Sequence, residues 1–181
     1  PQNNTGGWAI SDCMLNMPLL YWASEETNDP RYKQIAMAHA DTVMEHFIRP
    51  DGSSYHIIEC DPESGTMNKA YGGQGFDSNS SWSRGQSWAL YGFVMSYLHT
   101  GKMDYLNTAK RCANYFIANI PEDGVIPVDF MSPKEPHLED SCASAIAASG
   151  LIELSNIVEP CEKDIYLSPA IKLLKTLDQS R

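Results

Sequence analysis

Three helical stretches with almost no charge alternate along this chain with three that carry charge on one side only. That alternation constrains the fold more than any other feature. Residues 11–26 contain Cys13-Met14-Leu15-Asn16-Met17-Pro18-Leu19-Leu20-Tyr21-Trp22-Ala23, apolar on nearly every side. Gly85 to Gly101 runs without a single Asp, Glu, Lys or Arg, and residues 142–157 carry Glu153 alone. A helix that is hydrophobic all round belongs inside a protein. Between these lie residues 31–48, 103–120 and 164–179, whose apolar side chains recur at the three-four spacing of an amphipathic surface helix.

The surface helices share a signature. Tyr32 is followed by Ala36 and Ala40, Tyr105 by Ala109 and Ala113, and Tyr166 by Ala170, with Asp51-Gly52 and Asp123-Gly124 closing the first two. From Tyr32 to Tyr105 is 73 residues and from Tyr105 to Tyr166 is 61, far from the ~34 of a tetratricopeptide repeat. A ring with an inner and an outer layer of helices accounts for the pattern, and three hairpins make an arc of it. The expectation is an all-α chain with one domain, residues 1–181. Pro18 is expected to kink the first helix. Asn28-Asp29-Pro30 reads as a turn into the second, and Asp140-Ser141 as the cap of the fifth. Residues 55–59 and 125–128 read as short extended pieces. Residues 61–81 read as a loop of a length that is usually functional.

In such a ring the inner helices point the same way, so their N-terminal ends gather on one face. There the sequence puts Asp12, then Trp82, Arg84 and Gln86, then Glu139 and Asp140. Tryptophan with acids, arginine and glutamine suits a sugar: aromatic faces stack on pyranose rings, polar groups fix hydroxyls, and an arginine holds a carboxylate by paired hydrogen bonds. Each residue also has a plainer reading. Asp12 and Asp140 serve as helix caps, Arg84 pairs with an interior acid, and Trp88 and Tyr91 are core. His56 is a surface or hydrogen-bonded histidine, and Gln74 is exposed in a glycine-rich loop.

The formal charge of −10 repels nucleic acid and anionic lipid, so neither a nucleic acid nor a membrane is an expected partner. Gly72-Gly73-Gln74-Gly75 lacks the Lys-Ser/Thr ending of a phosphate loop. The chain has no zinc- or calcium-ligand spacing, and neither a metal nor a cofactor is expected. Five cysteines without a C-x-x-C spacing, three of them in apolar helical stretches, read as buried free thiols. No apolar run is long enough to span a bilayer, and no signal peptide opens the chain. The Pro1-Gln2-Asn3-Asn4-Thr5 start reads as the interior of a longer protein, so the sequence leaves open cytoplasm or periplasm.

Three blocks carry a resemblance: Asp12 through Ala23; Trp82-Ser83-Arg84-Gly85-Gln86-Ser87-Trp88-Ala89-Leu90-Tyr91-Gly92; and Asp140-Ser141-Cys142-Ala143-Ser144-Ala145-Ile146-Ala147-Ala148-Ser149-Gly150-Leu151. In this order they resemble the unsaturated glucuronyl hydrolases, glycoside hydrolase family 88. The related unsaturated rhamnogalacturonyl hydrolases rank second, because they differ at the Arg-Gly-Gln-Ser-Trp block. The resemblance implies an (α/α)6 toroid of six hairpins, of which three are present. It implies release of a 4,5-unsaturated uronic acid from the non-reducing end of lyase-generated oligosaccharides, by hydration of the vinyl ether double bond. It places Asp12 at the general acid/base position, and His56, Gln74, Trp82 and Arg84 at substrate-binding positions. Two departures stand out. The family has a further important aspartate upstream of Asp12, in a region outside this sequence, and Ser80 stands where some members carry an aromatic. A chain of half the family's length is expected to be nearly inactive alone and to self-associate. The competing class is a non-catalytic helical toroid that binds a glycan or a protein.

Overall fold

A computed structural model describes residues 6–136 and 138–179; the Pro1–Thr5 start lies outside them. Three helical hairpins follow one another, preceded and interrupted by a small antiparallel sheet. Strand β1 (Trp8–Ile10) leads through a 3-10 turn (Ser11–Leu15) into α1 (Met17–Thr27) and α2 (Pro30–His46). Strands β2 (Ile57–Cys60) and β3 (Met67–Tyr71) follow, then α3 (Ser83–Thr100), α4 (Met103–Ala118), α5 (Ser141–Ile157) and α6 (Lys163–Gln179). The sheet order is β1-β2-β3, with Ile10 opposite Ile57 and Ile57 opposite Tyr71.

The helix boundaries follow local chemistry. Asp29 caps α2 by accepting the Arg31 N–H, with Pro30 in the first turn, where its missing donor costs nothing. Asp140 caps α5 by accepting the Ala143 N–H. Gly101 ends α3 in the left-handed region, at φ 69°. One expectation fails at the front. Residues 11–26 are not a kinked helix: Pro18 sits in the first turn of α1, so the chain enters through a separate 3-10 turn and no hydrogen bond is lost inside a helix. A second fails in the stretch read as loop, where Met67–Tyr71 pairs with β2 despite its polar side chains.

Helix α3 is the centre of the packing. It lies against α4 on one side and α5 on the other, and the 3-10 turn covers it. Phe93, Tyr105, Phe116, Leu151 and Leu154 are fully buried here, and burial of each such side chain contributes roughly 1.5–3 kcal/mol. At Gly150 the helices touch: a Cβ would lie 2.5 Å from Leu90 Cδ2. Tyr105, Ala109, Ala113, Tyr166 and Ala170 of the repeated signature are all buried on the inward faces of α4 and α6. Helix α1 departs from its expected burial. Only Met17 and Tyr21 are buried, while Leu19 is 66% and Trp22 55% exposed. No helix among the described residues is long and apolar enough to cross a membrane.

Candidate active site

A β-ladder positions Asp12. One step beyond the Ile10–Ile57 pair, the Ser11 N–H donates to the His56 carbonyl at 2.9 Å. The chain then turns into the 3-10 helix, whose cap position is Ile10, with no side-chain cap bond. Asp12 is therefore not a helix cap. Its Oδ1 lies 3.8 Å from His56 Nε2, within ion-pair reach but too long for a hydrogen bond. Both atoms are buried and neither has a hydrogen-bond partner among the described residues. Buried polar atoms without partners are rare, and each asks for an explanation. Burial raises the Asp12 carboxyl above the ordinary aspartate value, opposed first by the nearby His56, then by its own backbone N–H and the Ser11 hydroxyl, and least by Arg84.

His56 is 5% exposed, which rules out the surface reading. Its Nδ1 is held by the glycine-rich loop, 2.9 Å from the Gly72 carbonyl and 3.0 Å from the Gln74 N–H. One nitrogen cannot donate to the first and accept from the second at once, so this clamp depends on the tautomer. Gly73 makes the approach possible. Its φ is +58°, and a Cβ there would stand 2.4 Å from His56 Nδ1. Gln74 thus meets the site through its backbone. Its side chain is exposed and borders a cavity of about 280 Å³ shared with Phe76, Val128 and Leu138.

Trp82 immediately precedes α3. Its ring lies against His56 with centroids 4.2 Å apart, edge-on to Trp88 at 6.1 Å, and 5.5 Å from Arg84 Cζ. At 3% exposure it is a buried wall of the site, not the open stacking platform its residue type suggests. Arg84 Nε and Nη2 donate to the Asp140 carboxylate at 2.9–3.3 Å. Asp140 meanwhile caps α5 through the Ala143 N–H at 2.9 Å. The plain readings of both residues hold, and the Arg84 side chain remains 35% exposed. Gln86 is not at the site. It is fully buried, and its Nε2 donates to the Gly52 and Cys112 carbonyls at 2.8 and 3.2 Å.

The segment after α4 ties the helix starts together. Ser83 N–H donates to Val128 O and Phe130 N–H to Ser81 O, both at 3.0 Å, and Asp140 N–H donates to Ile126 O at 2.8 Å. The N-terminal ends of α3 and α5 thus share a face with Asp12. This segment also carries Asp129, which the sequence reading missed. Asp129 is 1% exposed. Its Oδ2 accepts from Phe76 N–H at 3.0 Å and from the Ser80 hydroxyl at 2.5 Å. Its Oδ1 accepts from Met131 N–H at 2.9 Å and Ser81 N–H at 3.3 Å. No cluster of three or more His, Cys, Asp or Glu suited to a metal exists among the described residues.

A half-buried acid with one orphaned oxygen beside a histidine, walled by tryptophan at the ends of stacked helical hairpins, is consistent with the class of helical-hairpin glycoside hydrolases. Within that class the model of Glycosyl Hydrolase Family 88 matches residues 2–157, and the chain belongs to this family. An unsaturated glucuronyl hydrolase of Bacillus sp. strain GL1 is 45% identical over 165 residues, 91% of this chain and 43% of the relative. The crystal structure of the unsaturated glucuronyl hydrolase from Bacillus sp. GL1, responsible for the degradation of glycosaminoglycan, superposes with a TM-score of 0.92 at 41% identity, covering 98% of this chain and 48% of that one. An aspartate-to-asparagine variant of the Streptococcus agalactiae unsaturated glucuronyl hydrolase, complexed with dGlcA-GalNAc6S, gives a TM-score of 0.82 at 32% identity, covering 94% of this chain and 46% of that one. The chain spans less than half the length of these relatives.

Proposed function

We propose that the protein containing this chain removes a 4,5-unsaturated uronic acid from the non-reducing end of lyase-generated oligosaccharides, with Asp12 as its general acid and base. One observation carries the reading: the Asp12 carboxyl, raised by burial, faces His56 Nε2 at 3.8 Å with neither atom hydrogen-bonded among the described residues. Hydration of an enol ether needs a proton delivered to carbon and then a proton taken from the attacking water. One carboxyl performs both in turn if it is partly protonated near neutral pH. The hemiketal that results opens and releases the sugar. Arg84 supplies positive charge for the uronate carboxylate, His56 offers a ring nitrogen to the substrate beside Asp12, Trp82 walls the ring, and Gln74 extends the substrate-binding surface from the glycine-rich loop. Arg84 enters this role already oriented by Asp140.

We further propose that residues 1–181 form a single domain that is part of an (α/α)6 toroid, an arc of three hairpins. The lengths covered in the relatives support it, as do Leu19 and Trp22, left exposed on a helix whose sequence reads as an inner stave. By itself the arc self-associates through that face and is nearly inactive. A clean monomer with cooperative unfolding contradicts the arc. For the activity, the full-length protein is offered a panel of lyase-generated disaccharides while the ultraviolet band of the unsaturated uronate is followed. Loss of the band supports the proposal, and tight glycan binding with the band unchanged overturns it.

A further inference from the structure

We infer that Asp129 is a positioning residue: it holds the 72–81 loop against His56 and thereby aims the imidazole at Asp12. The inference takes from the proposed function only the identity of the Asp12–His56 pair. After β3 ends at Tyr71, the loop's own ties are confined to two tight turns, the second closed further by Asp77 and Ser80, which bond each other. Gly75 N–H turns back to Gly72 O at 2.8 Å, and Ser80 N–H reaches Asp77 O at 3.2 Å. Arg49 Nη2 donates to the Ser80 carbonyl at 2.8 Å. Phe130 N–H holds the Ser81 carbonyl at 3.0 Å, but the outside group that reaches most of the loop is the Asp129 carboxylate, which accepts from Phe76, Ser80 and Ser81 as well as from Met131 of its own segment. Gly75 lets the loop lie on this carboxylate, since a Cβ there would be 3.0 Å from Asp129 Oδ2 and 3.1 Å from Trp82 Cβ.

The geometry runs in one direction. Three loop donors fix Phe76, Ser80 and Ser81, and the Gly72–Gln74 bend just before them carries the carbonyl and the N–H that clamp His56 Nδ1. The imidazole also lies against Trp82, whose backbone is bridged to that of Asp129. The buried carboxylate of this residue thus braces the loop that grips the imidazole, and its backbone braces the wall beside it. Four hydrogen bonds to one ionised acceptor satisfy its lone pairs, and charge-assisted bonds of this kind are the strong ones. Asparagine at this position offers one oxygen to the same four donors and confronts the others with an NH2 group.

The test uses the full-length protein that contains this chain, labelled with nitrogen-15, and needs no catalysis, so its outcome is independent of the substrate. Asp129→Asn is expected to speed amide exchange at Phe76, Ser81 and Met131 by about ten-fold or more, the scale of one lost bond to a charged acceptor. In the same sample the His56 Nδ1 and Nε2 chemical shifts are expected to move. Ser80→Ala, which leaves the other donors in place, is expected to shift both readouts the same way by less. A folded Asp129→Asn with faster loop exchange and unchanged His56 signals overturns the inference, as does unchanged exchange. If Asp129→Asn does not fold, unaltered His56 signals in Ser80→Ala overturn it.

Discussion

Asp140 does two separable things, and removing it in two ways measures each. It caps α5 through Ala143 N–H at 2.9 Å and receives Arg84 at 2.9–3.3 Å. Loss of the cap alone costs about 1 kcal/mol. Breaking a fully buried pair would cost ~3–5 kcal/mol, but the Arg84 side chain is 35% exposed and regains water when released, so about 1 kcal/mol is the appropriate scale. Asp140→Ala loses both, about 2 kcal/mol, which lowers the melting temperature by roughly 4–8 °C for a chain of this size. Asparagine caps as well as aspartate, so Asp140→Asn loses only the charge, about 1 kcal/mol or less, or roughly 2–4 °C. Urea and thermal melts followed by circular dichroism measure both. At high salt the gap between the parent chain and Asp140→Asn narrows, while that between Asp140→Asn and Asp140→Ala stays. If asparagine proves as damaging as alanine, the cap contributes nothing and the two-part account is wrong.

Asp12→Asn is expected to stabilise the fold at neutral pH while impairing function. The folded carboxyl titrates above its unfolded value, so the folded state binds more protons and loses stability as pH rises through the folded pKa. Below the unfolded pKa both forms are neutral and the advantage of asparagine disappears; urea melts at acidic and neutral pH show whether it does. Gly73→Ala places a methyl 2.4 Å from His56 Nδ1 at φ +58°. It is expected to cost about 1–2 kcal/mol from the backbone alone and to displace His56, seen as shifted imidazole resonances. Thiol alkylation should divide the cysteines. Exposed Cys142 and Cys161 react quickly, whereas Cys112, fully buried with its pKa pushed up to about 12 by burial, reacts only on unfolding. Mass spectrometry of the native and denatured chain reads this directly.

The helices were legible in the sequence because their signals are local. The uncharged run after Gly85 is α3, and the Asp140-Ser141 cap opens α5. The amphipathic spacing marked the inward faces of α4 and α6. Strand β3 was not legible, because Met67-Asn68-Lys69-Ala70-Tyr71 has no alternation and is held by pairing with β2. The expected gathering of helix ends is present for Asp12, Trp82 and Arg84, but the burial of Trp82 and Gln86 was not legible from residue type. Asp129 gave no signal because its loop partners lie 48 to 53 residues away. His56 gave little for the same reason, since the β1–β2 ladder brings it to Asp12, and the glycine loop brings only the Gln74 backbone N–H to His56.

The central claim is that the Asp12 carboxyl moves the proton. Asp12→Asn in the full-length protein, assayed by the ultraviolet band of an unsaturated uronyl disaccharide, tests it most directly. The account predicts that turnover falls by roughly 10²–10⁴-fold while the disaccharide still binds, because asparagine preserves the shape of the pocket. Turnover close to that of the parent enzyme would contradict it.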